Sequence, residues 1–161
     1  MKPRLYNEFK NFHNDIKLNK ESSLLQEKRE ILQKDFEKKF PEIMQNHGIQ
    51  VNKSDLRFFD QGSYRQGVST TIKDTIVDRD VAVMFPLDIE VNTDPRKIKG
   101  YARDALTIKN VREPSIKEPC ITVQYVKQGE ENMHIDFPLY AEFNETVYLA
   151  RGKEYSSTYP W

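Results

Sequence analysis

Residues 76–85 read Ile-Val-Asp-Arg-Asp-Val-Ala-Val-Met-Phe, an apolar run carrying two acids one residue apart. Such a run suits a strand, where side chains repeat with period two. Asp78 and Asp80 then point the same way, about 6–7 Å apart along the chain. Carboxylates on one face can share divalent cations. A pair of such ions, roughly 3.5–4 Å apart, can clamp the attacking and leaving oxygens of a displacement at phosphorus.

Upstream lies Gln61-Gly62-Ser63-Tyr64-Arg65-Gln66-Gly67, a turn that runs on from a short strand at Leu56-Arg57-Phe58-Phe59. Gly62 lets a backbone approach phosphate oxygens with no side chain in the way. Ser63 adds a hydroxyl, and the amides of a following helix N-terminus would favour negative charge. Tyr64 and Arg65 can assist with phosphates, although Tyr64 can equally pack the turn. Thr70 and Thr71 read as polar linker.

A third acid, Asp136, sits in the run 133–140. There Met133, Ile135, Phe137 and Leu139 share one face, and His134 and Asp136 share the other. Pro138 marks an edge or a strand end. His134 reads as a hydrogen-bonded structural residue rather than a ligand, and His13 and His47 as helix-surface residues.

At 161 residues the chain is one domain or part of a larger one. Its 25 basic residues balance 25 acidic ones, which argues against a surface built to coat nucleic acid. A local pocket for small nucleotides remains open. The single cysteine, Cys120, excludes an internal disulfide and reads as an inert packed thiol. No apolar run approaches the roughly 20 residues that span a bilayer. The N-terminus lacks the apolar segment of a signal peptide, so the chain reads as cytoplasmic.

Residues 4–47 read as two helices. Leu5, Phe9, Phe12 and Ile16 form one stripe, and a break follows near Leu18-Asn19-Lys20. Ser23-Leu24-Leu25-Gln26 resembles a capping box. It opens a helix whose stripe is Leu25, Leu32, Phe36 and Phe40, widened by Leu24 and Ile31. Gly48 is the expected stop, unless Pro41 ends the helix earlier. Asp94-Pro95 starts another helix, with Ile98, Tyr101 or Ala102, and Ala105 or Leu106 on its buried side. Strands over 120–126 and 133–140 come next, joined by a turn at Gly129-Glu130-Glu131-Asn132. The expected fold class is α/β of the α+β kind: a twisted mixed sheet with the acids on one face and helices on the other. The expected division is N-terminal helices over 1–48 and a catalytic core over 49–161.

Gly62-Ser63, Asp78-x-Asp80 and a later third acid are together similar to the DNA polymerase β-like nucleotidyltransferase pattern. The runs Gln61-Gly62-Ser63-Tyr64-Arg65-Gln66-Gly67, Pro119-Cys120-Ile121-Thr122-Val123 and His134-Ile135-Asp136-Phe137-Pro138-Leu139-Tyr140-Ala141 narrow it. They resemble the cGAS/DncV-like nucleotidyltransferases (CD-NTases), bacterial makers of cyclic di- and oligonucleotide signals in anti-phage defence. The resemblance covers roughly 20–161. It implies that Asp78 and Asp80 hold two Mg²⁺ ions, with Mn²⁺ as a substitute. Asp136 would complete the site of the ion that activates the attacking ribose hydroxyl. Gly62 and Ser63, with Tyr64 and Arg65 beside them, would bind the donor triphosphate, ATP or GTP. Implied partners are nucleoside triphosphates and protein regulators or effectors of a defence operon, without membrane or large nucleic acid.

Two departures stand out. Arg79 lies between the paired acids, where an apolar residue would serve a strand covered on both faces, so its side chain is expected to reach an edge or a partner. The family also carries a C-terminal helical lobe, and this sequence stops at Trp161 where that lobe would begin, which reads as a fragment. Transfer to an RNA or protein acceptor, and a non-catalytic interaction module keeping the fold, stay open as alternatives.

Overall fold

A single helix, α1 (Pro3–Asn46), replaces the two expected, and among the described residues a mixed sheet of seven strands lies against its second half. The computed structural model describes residues 3–61, 77–126, 129, 133–157 and 161. Side chains are described from Leu24 onward, Val77 and Asp78 excepted, so the stripe of Leu5, Phe9, Phe12 and Ile16 lies outside them. The helix runs through Leu18-Asn19-Lys20 unbroken because no proline or glycine there forces the backbone out of helical geometry.

The end of α1 falls where Gly48 predicts. Gly48 adopts φ +75°, its N–H donates to the Gln45 carbonyl, and the N–H of Ile49 donates to the Met44 carbonyl. That is a Schellman closure, which glycine makes without steric cost. Pro41 is absorbed inside the helix. Leu25, Leu32, Phe36 and Phe40 are fully buried as expected, joined by Met44. Ile31 instead stays half exposed, because it lies off the line of these residues.

A 3-10 turn (Lys53–Asp55) leads to β1 (Arg57–Gln61), and then to β2 (Val77–Pro86). Next come α2 (Pro95–Leu106), β3 (Arg112–Ile116) and β4 (Ile121–Tyr125), then β5 (Met133–Phe137), β6 (Leu139–Phe143) and β7 (Thr146–Leu149). Neighbours follow the path β3-β4-β5-β2-β6-β7, with β1 antiparallel to β2. β5 and β6 both run parallel to β2 in one register: Val77 stands opposite Met133 and Val83 opposite Leu139. They form one line interrupted at Pro138, whose missing N–H ends the ladder of β5 while its carbonyl still accepts from Val83.

One face of the sheet is apolar and covered. Val81, Val83, Phe85, Ile121, Val123, Ile135, Phe137 and Leu139 are buried against the helices. From α1, Phe36 packs edge-on to Phe58 at 5.9 Å between centroids, and Phe40 to Phe85 at 5.2 Å. Such pairs contribute about 0.5–1.5 kcal/mol beyond their burial. α2 starts as expected: the Asp94 side chain accepts from the Arg96 N–H, with Pro95 at the first helical position. It buries Ile98, Ala102, Ala105 and Leu106.

Two buried cations join these layers. Lys99 of α2 donates from Nζ to the carbonyls of Lys117, Glu118 and Gly152, drawing the β3–β4 turn and the segment after β7 onto the helix. Burial pulls this amine down to about 8, partly offset by the charge of Glu118. Arg112 of β3 donates from Nε to the Leu106 carbonyl at 2.6 Å and from Nη2 to Asp35 of α1. No helix among the described residues is long and apolar enough to cross a membrane.

Candidate active site

The opposite face of the sheet is where the polar members of the alternating strands collect. Gln61 stands opposite Asp80, Asp80 opposite Asp136, and Asp136 opposite Thr122, a single row across β1, β2, β5 and β4. Adjacent strands lie about 5 Å apart, so register partners of this kind are direct neighbours. Asp80 and Asp136 are half-buried, and Thr122 is buried. Two of the three expected acids are therefore brought side by side by a parallel pairing. Asp78 stands opposite His134 in the backbone register, and its side chain is outside those described. Gly62, Ser63, Tyr64 and Arg65 lie outside the described residues.

The residues that frame this row are better defined than the acids alone would suggest. Thr122 Oγ1 donates to Asp136 Oδ1 at 2.7 Å. Gln61, the last described residue before Gly62 and Ser63 in sequence, has its Oε1 held by the Tyr140 hydroxyl at 3.3 Å. Thr122 and Tyr140 were not among the expected site residues. Strand alternation carries the signal for Thr122, since Cys120, Thr122 and Gln124 interleave with the buried Ile121 and Val123. The same alternation marks Tyr140, between the buried Leu139 and Ala141, though its contact crosses the sheet.

Arg79 resolves the first departure. On the covered face, its Nε and Nη2 both contact Asp60 Oδ1, at 3.1 and 2.9 Å. Arg29 of α1 approaches the same oxygen at 3.5 Å. β1 pairs only with β2 among the described residues, so Arg79 does reach an edge strand, but from beneath the sheet and fully buried. The contact ties the end of β1 to the strand of the acids.

Cys120 reports on the electrostatics. Burial, aided by the charges of Asp136 and Asp80, pushes its thiol up to about 11, against the charge of Lys99. Between pH 9 and 11 the folded chain keeps a proton that the unfolded chain has lost, so stability falls as pH rises through that window. Urea denaturation should show this decline in wild type and a weaker one in Cys120→Ser, which has no thiol to titrate. Iodoacetamide should label Cys120 at pH 8 only after unfolding.

Among the described residues no group of three or more metal-ligating side chains is assembled. The hard oxygen donors of Asp80 and Asp136 still fit a magnesium-like ion: they are adjacent, half-buried, and of like charge that a divalent cation would offset.

The family described as cyclic GMP-AMP synthase DncV-like, nucleotidyltransferase domain, matches residues 56–140. Among solved structures, Vibrio cholerae DncV cyclic AMP-GMP synthase in complex with the linear intermediate 5′ pppA(3′,5′)pG is similar at 15% identity and TM-score 0.61, over 87% of this chain and 53% of that one. The same enzyme in complex with nonhydrolyzable GTP gives 17% and 0.57, over 88% and 52%. Escherichia coli DncV in its 3′-deoxy GTP bound form gives 16% and 0.55, over 83% and 51%. The chain thus spans about half the length of these structures. Comparison with curated proteins finds no match.

Proposed function

We propose, for a chain that belongs to the cyclic GMP-AMP synthase DncV-like nucleotidyltransferase domain family, a metal-dependent transfer of nucleotidyl groups from nucleoside triphosphates. The products in this reading are cyclic di- or oligonucleotides that act as second messengers in bacterial anti-phage defence. The observation that carries it is the pairing of Asp80 with Asp136 in adjacent register, flanked by Gln61 and Thr122.

In this reading Asp78, Asp80 and Asp136 would hold two magnesium ions, and residues 49–161 form the catalytic core that the helix over 1–48 braces. Bound magnesium would supply charge stabilisation at the transferring phosphoryl group and ease ionisation of the attacking hydroxyl. The protein's own part is positioning. Gly62 and Ser63, with Tyr64 and Arg65, bind the β- and γ-phosphates of ATP or GTP. The Arg79–Asp60 contact keeps the end of β1, next to these residues in sequence, fixed against the acids. A hydroxyl attacks the α-phosphorus, the bond to the bridging oxygen breaks, and pyrophosphate leaves with the electron pair.

Calorimetric titration with a non-hydrolysable ATP analogue, with and without magnesium, tests the reading beside Asp78→Ala. Magnesium-dependent binding that the variant loses is the expected result. Binding indifferent to both magnesium and Asp78 would overturn the metal assignment.

A further inference from the structure

We infer that Thr122 is a positioning residue for Asp136, the middle link of a one-way hydrogen-bond chain Cys120–Thr122–Asp136. The inference rests on Asp136 serving as a metal-holding acid. An ionised carboxylate only accepts hydrogen bonds, and a threonine hydroxyl has a single proton to give. At 2.7 Å from Asp136 Oδ1, that proton is committed to the carboxylate. The oxygen left as acceptor then faces Cys120 Sγ at 3.8 Å, so the thiol is the donor at the head of the chain. Direction is set at both ends.

The backbone makes this arrangement rigid. Thr122 is branched at Cβ and lies on a strand, where its first side-chain torsion is restricted. Its chain neighbours Ile121 and Val123 are fully buried, and its cross-strand partner is Asp136 itself. Cys120 and Thr122 are themselves 8% exposed, so water competes little for either group. With Oδ1 engaged by the hydroxyl, the carboxylate cannot swing freely about its own bond, and Oδ2 remains to meet a cation. Partners of this kind orient metal-binding groups, and their loss costs about 10–100-fold in metal affinity or activity.

Manganese is the probe, titrated in the presence of the non-hydrolysable ATP analogue while free Mn²⁺ is followed by electron paramagnetic resonance. Thr122→Val keeps the shape and removes the hydroxyl, and it should weaken Mn²⁺ binding by about tenfold. Thr122→Ser restores the hydroxyl and should return affinity to within about threefold of wild type. Asp136→Asn should weaken binding at least as much as Thr122→Val. If Thr122→Val does not fold, Thr122→Ala takes its place against the same serine rescue. Wild-type affinity in the hydroxyl-less variant beside a weakened Asp136→Asn overturns the positioning role alone. Wild-type affinity in Asp136→Asn overturns the metal-site reading beneath it, and the inference with it. Equal weakening in valine and serine variants assigns the effect to packing and also overturns the inference.

Discussion

If the proposed reading holds, Asp80→Asn should lower nucleotidyl transfer by about a thousandfold, roughly 4 kcal/mol of transition-state stabilisation, while the fold survives intact. Asparagine preserves the shape of the side chain and its place between Gln61 and Asp136 in the row. What it removes is the negative charge that would hold a divalent ion. The same change relieves repulsion between neighbouring carboxylates, so the melting temperature should hold steady or rise slightly. Pyrophosphate release at saturating magnesium, measured beside a thermal melt, checks both halves. Activity within tenfold of wild type would remove Asp80 from the site. A collapsed melting temperature would make it a structural residue instead.

Arg112→Met destabilises the protein by about 3 kcal/mol, near the lower bound for removing one partner of a buried pair. Three elements meet at this guanidinium. It donates to the last carbonyl of α2 at Leu106 and to Asp35 of α1 from its own position on β3. Methionine fills much of the same volume, so the loss falls on the carbonyl and carboxylate left behind. Asp35 is itself 28% exposed, and water can recover part of its solvation, which keeps the figure at the low end. Urea denaturation of Arg112→Met, Asp35→Asn and the double variant gives the coupling directly. Additive losses would show that the two side chains act independently.

Much of this architecture was legible because it rests on local patterns. Alternation over 133–140 placed Ile135, Phe137 and Leu139 inward and Asp136 on the opposite face, as observed. Asp94 and Pro95 announced α2, and Gly48 announced the end of α1. The unread elements lack such patterns. β3 contains Pro114, which disguises a strand, yet Pro114 is tolerable there because β3 lies at the end of the sheet. The β6–β7 hairpin turns at Asn144 and Glu145, both with positive φ, where the usual signal would be a glycine in second place. Lys99 and Arg112 look like surface cations in sequence. Their partners at Lys117, Glu118, Gly152 and Asp35 come from elsewhere in the chain, and no local period can reveal them.

The site was partly legible for the same reason. Acids spaced by two on a strand declare a shared face, which singled out Asp78 and Asp80; alternation put Asp136 on a polar face, and its place in the site came from the family resemblance. Their hydrogen-bonded companion Thr122 depends on the pairing of β4 with β5, a fact of topology. Arg79 was noticed as an anomaly between acids, and its purpose became plain only with Asp60 and Arg29 beneath it.

The parallel pairing of β2 with β5 also sets a timetable for the protein's birth. Asp80 leaves the ribosome with α1, β1 and β2 already made, whereas Asp136 arrives only after α2, β3 and β4 have been synthesised. Pairings between distant segments form slowly, because the intervening chain must first be brought together. A nascent chain therefore carries half of the acidic row and cannot assemble the rest from its own residues. In the proposed reading it stays chemically silent until β5 has been made and docked.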